Sequence, residues 1–289
     1  MKTFAWYTDT HLDRAPAFLL HHRLVNRINQ LAPEGVFLTG DISTGTQIEE
    51  TLSYLAQNTS VPIYFVLGNH DYHRRSIASV HNGVSDIVGK HSNLIWATQS
   101  TTTLAPGVAL LGTEGWCDAT VGYRWWMRMT FDHFLIRDYA TLGFSRWIKL
   151  FHEKALREAE ALEKRLQQAL VDHDHVYVLT HFPPWDDAIL HGVFKRFWTA
   201  YDVNHALGDA IDRVMSAHPT KRCTVLSGHT HVPMTCFHGN IVCHVGYARS
   251  HRPVLSEKLL AIEDSLQSSP ITVGARVLEA QSFELNPSL

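Results

Sequence analysis

Clusters of aspartate, asparagine and histidine follow five short apolar runs in this chain. Each run is continuously apolar and rich in β-branched and aromatic residues, which predicts a strand buried on both faces. Carboxylate, amide and imidazole groups are ligands that manganese, iron and zinc accept in hydrolytic sites. Together these side chains could form a metal site, and there are too many of them for one ion. The five clusters are Asp9-Thr10-His11, Gly40-Asp41, Gly68-Asn69-His70-Asp71, His181 and Gly228-His229-Thr230-His231.

The positions of these clusters predict an α/β fold that brings them together. Apolar residues recur at helical spacing over 17–31 and 48–55, between the first three predicted strands. Alternation of strand and helix builds a mostly parallel sheet, and ligands of such sheets bind beyond the carboxyl ends of the strands. Short predicted strands between 94 and 112 then indicate a second sheet. Further helices are predicted at 152–171 and 202–217, and further strands at 233–237, 241–245, 258–263 and 271–278.

The composition excludes several classes of protein. Of the 289 residues, 45% are hydrophobic and 18% are charged, so we expect a substantial core and little disorder. The formal net charge is −3 and there is no long basic block, which argues against nucleic-acid and membrane-surface partners. We expect neither a membrane span nor a signal peptide, because apolar stretches are short and the chain leads directly into a strand. Four cysteines without C-x-x-C spacing predict reduced thiols in a cytoplasmic protein.

Residues 113–150 differ from the rest of the chain because they contain half of its eight tryptophans. Two interpretations stay open. The segment is either a small satellite core, or a cap or partner surface, since aromatic residues and arginine are enriched in pockets and interfaces. We expect one domain over 1–289 with this aromatic-rich insert or cap, which is also a candidate surface for homo-oligomer formation. Candidate substrate-binding residues, here and after the strand at 241–245, are Trp116, Asp118, Tyr123, His251 and Arg252.

The order of the motifs, D-x-H, G-D, G-N-H-D, H and G-H-x-H, resembles that of the calcineurin-like metallophosphoesterase family. The motifs span residues 9–231. One motif alone is weak evidence, whereas five in order, each after a predicted strand, form a specific signal. The resemblance implies a four-layer αββα sandwich, in which two mixed β-sheets are flanked by helices. It also implies a dinuclear metal site at the carboxyl edge of the strands.

The resemblance implies a role for each motif residue. His70 would face the substrate, where it would stabilise phosphoryl oxygens or protonate the leaving alkoxide as a general acid. Asp71 would orient the backbone or a ligand. The implied metal ligands are Asp9, His11 and His231 for one ion, Asn69, His181 and His229 for the other, and Asp41 as the bridge between them.

Two positions depart from the family pattern. Phosphoprotein phosphatases carry a carboxylate three residues after the bridging aspartate, followed by arginine, whereas this chain has Thr44 and Gly45. The pairing of a carboxylate with the catalytic histidine is therefore absent or completed from elsewhere, which favours a small bacterial type of phosphodiesterase or phosphatase. Phe182 stands where many members have histidine. We expect it to line the site without changing the metals.

The sequence therefore predicts a dinuclear metal-dependent phosphoesterase that acts on a small phosphodiester or phosphomonoester. Two ions about 3.5–4 Å apart would hold a bridging hydroxide that attacks phosphorus, while His70 assists the leaving group. The cofactors would be two ions of manganese, iron or zinc. One alternative is a catalytically silent, metal-loaded scaffold, which the complete motif set disfavours. The other is a nuclease, which the net charge and the lack of a basic stripe disfavour.

Overall fold

Two six-stranded sheets form the centre of the molecule. This computed structural model describes residues 2–14, 17–189, 195–248, 255–263 and 277–282. The strands are β1 (Lys2–Tyr7), β2 (Gly35–Thr39), β3 (Ile63–Val66), β4 (Leu94–Trp96), β5 (Thr102–Ala105), β6 (Val108–Gly112), β7 (His175–Leu179), β8 (Arg222–Ser227), β9 (Met234–His238), β10 (Ile241–Val245), β11 (Ser256–Ile262) and β12 (Val277–Ser282).

Both sheets are mixed, and each has a block of parallel strands. The first sheet has the order β12-β11-β1-β2-β3-β4, and β1 to β4 run parallel. The second has the order β5-β6-β7-β8-β10-β9, with β6, β7, β8 and β10 parallel and antiparallel strands at both edges. Parallel neighbours end at the same edge of a sheet, so the loops after β1, β2 and β3 are adjacent, as are those after β7 and β8.

Helices cover the outer faces of the two sheets. Side chains of α1, α2 and α3 share a core with the first sheet, and those of α6 and α8 share one with the second. The resulting order of layers confirms the predicted α/β, four-layer αββα class. The helices are α1 (Ala17–Leu31), α2 (Ile48–Asn58), α3 (Ile77–Val88), α4 (Asp132–Leu135), α5 (Arg137–Ala140), α6 (Phe144–Asp172), α7 (Lys195–Asp202) and α8 (His205–Ser216).

The alternation of side chains along each strand builds the cores. On β1, Phe4 and Trp6 point between the sheets, whereas Ala5 and Tyr7 point to the helices. The ring of Phe4 stacks on that of Phe37 from β2 at 4.9 Å between centroids. Because both faces of these strands are buried, the sequence has continuous apolar runs rather than an alternating pattern.

The aromatic segment at 113–150 has a buried face and an exposed face. Trp116 and Trp147 are fully buried and pack edge to face against Phe151, the residue that follows the segment, in a core continuous with that of the first sheet. Trp125 and Phe131, by contrast, are 54% and 73% exposed. The inward half of the segment therefore contributes to the core, while its outward half presents apolar surface.

A largely buried ionic network anchors this segment to the sheets. The ammonium group of Lys154 lies 2.5 Å from Glu158 and 3.3 Å from Glu114. The carboxylate of Glu158 also accepts the backbone N–H of Gly115 at 2.8 Å. Buried charges are tolerated only when they are paired and hydrogen-bonded in this way, so the network fixes the chain where it leaves β6.

The structure differs from the sequence-based expectations in two places. Helix α6 begins eight residues before the predicted start at 152, because Trp147 and Phe151 continue its buried stripe. Strand β4 stays in the first sheet, where it pairs parallel with β3, and the second sheet begins only at β5. The predicted strand at 271–278 overlaps β12 at residues 277–278, and residues 271–276 lie outside the described part of the chain. Within the described residues, every helix is too short or too polar to cross a membrane.

Candidate metal centre

Five loops meet beyond the carboxyl ends of β1, β2, β3, β7 and β8, and hydrogen bonds fix their relative positions. In the first sheet the amide of His11 donates to the carbonyl of Asp41 at 2.9 Å. In the second sheet the amide of Gly228 donates to the carbonyl of His181 at 2.9 Å. The sheets are joined where Nδ1 of His181 donates to the carbonyl of Thr39 at 2.9 Å. All five polar clusters therefore lie in one place.

Backbone strain is concentrated in these loops. Positive φ angles in residues other than glycine cost about 1–3 kcal/mol each and persist only where the surroundings enforce them. A Cβ atom at Gly68 would lie 2.3 Å from Oδ1 of Asp41, so a larger residue there would displace this carboxylate. The motif residues with positive φ are Asp9 (49°), His11 (41°), Asp41 (48°), His229 (68°) and His231 (59°).

The first group of candidate ligands comes from the loops after β1, β2 and β8. Nε2 of His231 lies 3.1 Å from Oδ1 of Asp9. Neither ring nitrogen of the buried His11 has a hydrogen-bond partner among the described residues, although an unsatisfied buried polar group costs about 1–3 kcal/mol. A cation would satisfy these atoms. The side chains whose donor atoms lie within 4.8 Å of one another are Asp9, His11, Asp41 and His231.

A second group of acceptor atoms converges on the other side of Asp41. Because Nδ1 of His181 donates to a carbonyl, its Nε2 carries the lone pair. Because Nδ2 of Asn69 donates to the carboxylate of Asp132 at 3.0 Å, its Oδ1 faces the site. This Oδ1 lies 3.1 Å from Nε2 of His181, which lies 3.3 Å from Oδ1 of Asp41. Three lone-pair atoms so close together are the arrangement that a metal ion stabilises.

His229 completes the side of the site formed by His181. The rings of these two histidines lie 5.2 Å apart, centroid to centroid. The ring of Phe182 packs against that of His229 at 4.0 Å, so Phe182 lies beside the site and supports a candidate ligand. The backbone N–H of His229 donates to the carboxylate of Asp9 at 3.1 Å, which ties the two candidate ligand groups together.

The electrostatics of the site fit a metal centre. Burial lowers the pKa of His11 to about 3 and that of His181 to about 4, so both imidazoles are neutral, as ligation requires. Burial, together with the carboxylates of Asp9 and Asp71, raises the pKa of Asp41 well above its usual range. A cation beside Asp41 would favour its charged form. Oxygen and imidazole donors of this kind suit manganese, iron and zinc.

His70 stands at the open side of the site. Its backbone N–H donates to Oδ1 of Asp41 at 2.9 Å, and its Nε2 lies 3.9 Å from Oδ2 of the same residue. The side chain is 35% exposed. Burial and the neighbouring imidazoles of His73 and His11 lower the pKa of His70 well below its ordinary value. A phosphate ester beside it would raise that pKa, because negative charge stabilises the imidazolium.

Asp71 holds two of the loops together, as its position in the G-N-H-D motif suggests. Its buried carboxylate accepts the backbone N–H groups of Gly68 at 2.9 Å and Ser43 at 2.8 Å. Burial raises the pKa of Asp71 to about 7. Its contacts are therefore those of a residue that orients the backbone.

A cavity of about 360 Å³ opens beside these groups. Two of its lining residues, Tyr201 and Asp202, come from the end of α7, and the sequence pattern does not predict them because they do not follow a strand. Oδ1 of Asp202 lies 3.6 Å from Nε2 of His229. The described residues that line the cavity are Asp41, Asn69, His70, Tyr201, Asp202, His229, Thr230 and His231.

Asp132 is a third residue that the sequence pattern does not predict, since the aromatic segment contains no motif. It is buried, and its carboxylate accepts from Nδ2 of Asn69 at 3.0 Å and from the hydroxyl of Tyr201 at 2.8 Å. It also pairs with Nε2 of His73 at 2.8 Å. The ring of His73 lies 4.3 Å from that of His70. A carboxylate–histidine pair is thus present next to His70, but it comes from Asp132 and His73 instead of position 44.

Two of the substrate-binding candidates lie in the core rather than at the cavity. Trp116 is 1% exposed, and its Nε1 donates to Glu114 at 2.8 Å. Asp118 is also 1% exposed and accepts the backbone N–H of Ala206, in the first turn of α8, at 3.0 Å. Both are placed there because the chain turns inward after β6 instead of continuing toward the motif loops.

Of the other three substrate-binding candidates, only Tyr123 lies within the described residues. Tyr123 is exposed on the aromatic segment and does not belong to the described lining of the cavity. His251 and Arg252 lie outside the described residues. The described residues that line the cavity therefore come from α7 and the motif loops.

Comparison with known proteins identifies related folds. Residues 2–233 match the family model described as calcineurin-like phosphoesterase. Phosphopantetheinyl hydrolase from Mycobacterium tuberculosis aligns with a TM-score of 0.62 and 14% identity, covering 85% of this chain and 89% of that one. A dimetal phosphatase from Danio rerio aligns with a TM-score of 0.59 and 14% identity, covering 90% and 92%. At this level of identity the similarity shows the fold. No curated protein sequence matches the chain significantly.

Replacing Asp132 with asparagine should weaken metal binding on the Asn69 side of the site. A carboxamide keeps one acceptor oxygen but no charge, so the hydrogen bond from Nδ2 of Asn69 becomes weaker and holds Oδ1 of Asn69 toward His181 less firmly. Substitution of an outer partner of this kind typically lowers metal affinity about 10–100-fold. Calorimetric titration of the metal-free full-length protein with manganese should show one weakened binding step and one unchanged step.

Asp138→Asn provides a matched control. Asp138 lies in the same segment, but its carboxylate accepts the backbone N–H of Ile77 at 2.8 Å. This control should bind manganese like the wild type. Identical binding by Asp132→Asn and the wild type would contradict the positioning role of Asp132.

Proposed function

The chain belongs to the calcineurin-like phosphoesterase family, and on that premise we propose that it is a dinuclear metal-dependent phosphoesterase. Its substrate would be a small phosphodiester or phosphomonoester rather than a protein. The observation that carries this proposal is the convergence of lone-pair atoms from Asn69, His181 and Asp41 beside the first ligand group. Two cations would stabilise this arrangement, and it opens into a cavity that His70 lines.

In the proposed centre each ion would have its own ligands, and Asp41 would be a ligand of both. When bound, the ions would supply Lewis-acid chemistry, lowering the pKa of water and neutralising phosphoryl oxygens. Manganese, iron and zinc all accept these ligands, and we propose a pair drawn from these metals. The proposed ligands are Asp9, His11 and His231 for one ion, Asn69, His181 and His229 for the other, and Asp41 between them.

His70 would contact the substrate directly. Its backbone is anchored to Asp41 and its ring packs against His73, so the imidazole has a defined direction at the cavity wall. From there its N–H can donate to a phosphoryl oxygen, or its proton can pass to the departing alkoxide. We assign it the role of general acid or hydrogen-bond donor to the leaving group.

The charge of the cavity wall favours a substrate with little negative charge. Asp202 adds a carboxylate beside His229, and the described lining contains neither lysine nor arginine. The second charge of a phosphomonoester dianion would be repelled by Asp202, whereas a phosphodiester carries one charge. A polyanionic nucleic acid would be disfavoured for the same reason. We therefore rank a small diester above a monoester, and both above a nuclease substrate.

The aromatic segment is a candidate for selecting the organic part of the ester. Its 3₁₀-helix, Arg124–Met129, packs against α7, which contributes Tyr201 and Asp202 to the cavity. Trp125 on that 3₁₀-helix is exposed. Metals contact only the phosphate, so discrimination between esters requires other walls. We propose that this segment acts as a cap within one domain, and that a homo-oligomer interface is the alternative use of its exposed face.

A catalytically silent scaffold is the main alternative class. Such a scaffold would keep the fold but would not need a working site. The candidate centre nevertheless has motif residues with positive φ angles, and the ring nitrogens of His11 have no hydrogen-bond partner among the described residues. Such features persist where a site is in use. All four cysteines are buried and free, which supports a reducing compartment such as the cytoplasm.

The protein reconstituted with manganese should hydrolyse bis(p-nitrophenyl) phosphate and alkyl p-nitrophenyl phosphodiesters. His70→Ala should lower kcat by about 10²–10⁴, the usual contribution of general acid catalysis, for esters whose leaving group is a poor alkoxide. The loss should be smaller for p-nitrophenolate, which departs without a proton. Steady-state kinetics across a series of leaving groups, with metal content measured in parallel, provides the test.

His22→Ala is the control for this series, because His22 is exposed on α1. It should leave the kinetics unchanged. An equal loss for good and poor leaving groups in His70→Ala would remove His70 from the role of acid. Failure of the manganese-loaded wild type to hydrolyse any ester would contradict the proposed function itself.

Trp125→Ala should change the relative kcat/KM among esters with different organic groups. If the segment overhangs the substrate, loss of an exposed indole removes apolar contact without affecting the core or the metals. Phe237→Ala, which removes an exposed aromatic ring from β9, is the matched control and should leave the preference unchanged. Dissociation of an oligomer with an unchanged ester preference would instead identify the segment as an interface.

A further inference from the structure

A second cluster of metal-binding side chains lies at the far edge of the second sheet. The donor atoms of Asp187, Cys236 and His238 lie within 4.8 Å of one another. Nε2 of His238 is 3.1 Å from Oδ1 of Asp187. Within the described part of the chain, two clusters contain at least three potential metal-binding side chains whose donor atoms lie this close together. The other cluster belongs to the candidate dinuclear centre. The two groups share no residue.

The local sequence explains why Cys236 and His238 point the same way. They are two positions apart on β9, so their side chains lie on the same face of the strand. The intervening Phe237 points outward and is exposed. A tight turn at Gly239, where φ is +59°, joins β9 to β10 directly after His238. Asp187 approaches this face from the 3₁₀-helix Asp186–Ala188, which follows β7.

The three side chains are held in place by their neighbours. The ring of Trp185 stacks on that of His238 at 4.5 Å with an angle of 21° between planes. Nε1 of Trp185 in turn donates to Asp212 on α8 at 3.0 Å. Cys236 is buried, and Cys243 lies directly opposite it on β10. Partners that orient a ligand in this way are typical of metal sites.

The donor set narrows the choice of ion. One thiolate, one imidazole and one carboxylate are the ligands of zinc, a borderline-soft ion with tetrahedral preference. Ligand atoms about 2.0–2.2 Å from zinc lie about 3.3 Å from each other in a tetrahedron, close to the 3.1 Å between His238 and Asp187. Magnesium and calcium prefer oxygen ligands and would not select a cysteine.

We propose that Asp187, Cys236 and His238 form a mononuclear zinc site with a fourth position open to water or an external ligand. The ion would link the segment after β7 to the edge strand β9. That segment begins directly after His181, a candidate ligand of the dinuclear centre. The zinc site would therefore attach the loop after β7, which contributes to the dinuclear centre, to the outermost strand β9 of the same sheet.

Cobalt(II) is a direct probe of this proposal, because a thiolate ligand gives a charge-transfer absorption band in the near ultraviolet. The ligands proposed for the dinuclear centre include no sulfur, so only the second site would produce the band. Titration of the metal-free full-length protein with cobalt should therefore yield a thiolate band and one cobalt ion beyond those held at the dinuclear centre. Added zinc should displace that ion and remove the band.

Substitution of the ligands tests the assignment residue by residue. Cys236→Ser should abolish the band and lower the cobalt content by one ion per chain. Cys243→Ser is the matched control, since it replaces the thiol on the facing strand without changing any of the three proposed ligands, and it should retain the band. Asp187→Asn, at a partly exposed position that should not affect folding, should bind the additional cobalt more weakly.

Absence of the band in the cobalt-saturated wild type would overturn the zinc proposal. Persistence of the band in Cys236→Ser would also overturn it, because another cysteine would then be the ligand. If Cys236→Ser fails to fold, Asp187→Asn decides, and unchanged cobalt affinity in that variant contradicts the site. None of these readouts uses hydrolytic activity, so they are independent of the proposed function.

Discussion

Repulsion between buried lone pairs is the constraint on which the arrangement of this protein depends. The side chains of Asp41, Asn69 and His181 direct acceptor atoms at one another across 3.1–3.3 Å, and Asp9 adds a second buried carboxylate nearby. Buried charges and acceptors in such contact are unfavourable unless positive charge lies between them. The family of the chain, the neutral imidazoles and the orphaned nitrogens of His11 all agree with metal ions as the source of that charge.

The fold supplies the rigidity that such a site requires. Two blocks of parallel strands end at the same edge, and their loops are joined by backbone hydrogen bonds and by the contact between His181 and Thr39. Five motif residues with positive φ add strain, which the buried cores between and outside the sheets must offset. The aromatic segment participates through Asp132, whose carboxylate orients Asn69. The packing of the cores, the backbone geometry of the loops and the orientation of the candidate ligands therefore depend on one another.

Much of this organisation could be predicted from the sequence, because candidate ligands such as Asp9 and His181 directly follow apolar strands and strand ends share an edge. Asp132 and Asp202 could not be predicted, since neither follows a strand and only tertiary packing brings them to the site. Trp116 was expected at the site, but the chain turns inward after β6 and buries it. The local sequence pattern thus predicts site residues that follow strands. Site residues that come from helices or insertions can be identified only in the folded structure.

The most direct test of the account is anomalous X-ray diffraction from crystals of the manganese-loaded protein. The account predicts two anomalous peaks about 3.5–4 Å apart, with the carboxylate of Asp41 in contact with both. Asp9, His11 and His231 should surround one peak. Asn69, His181 and His229 should surround the other. A single peak at saturating manganese, or two peaks of which only one contacts Asp41, would contradict the central claim that this buried carboxylate joins two metal ions.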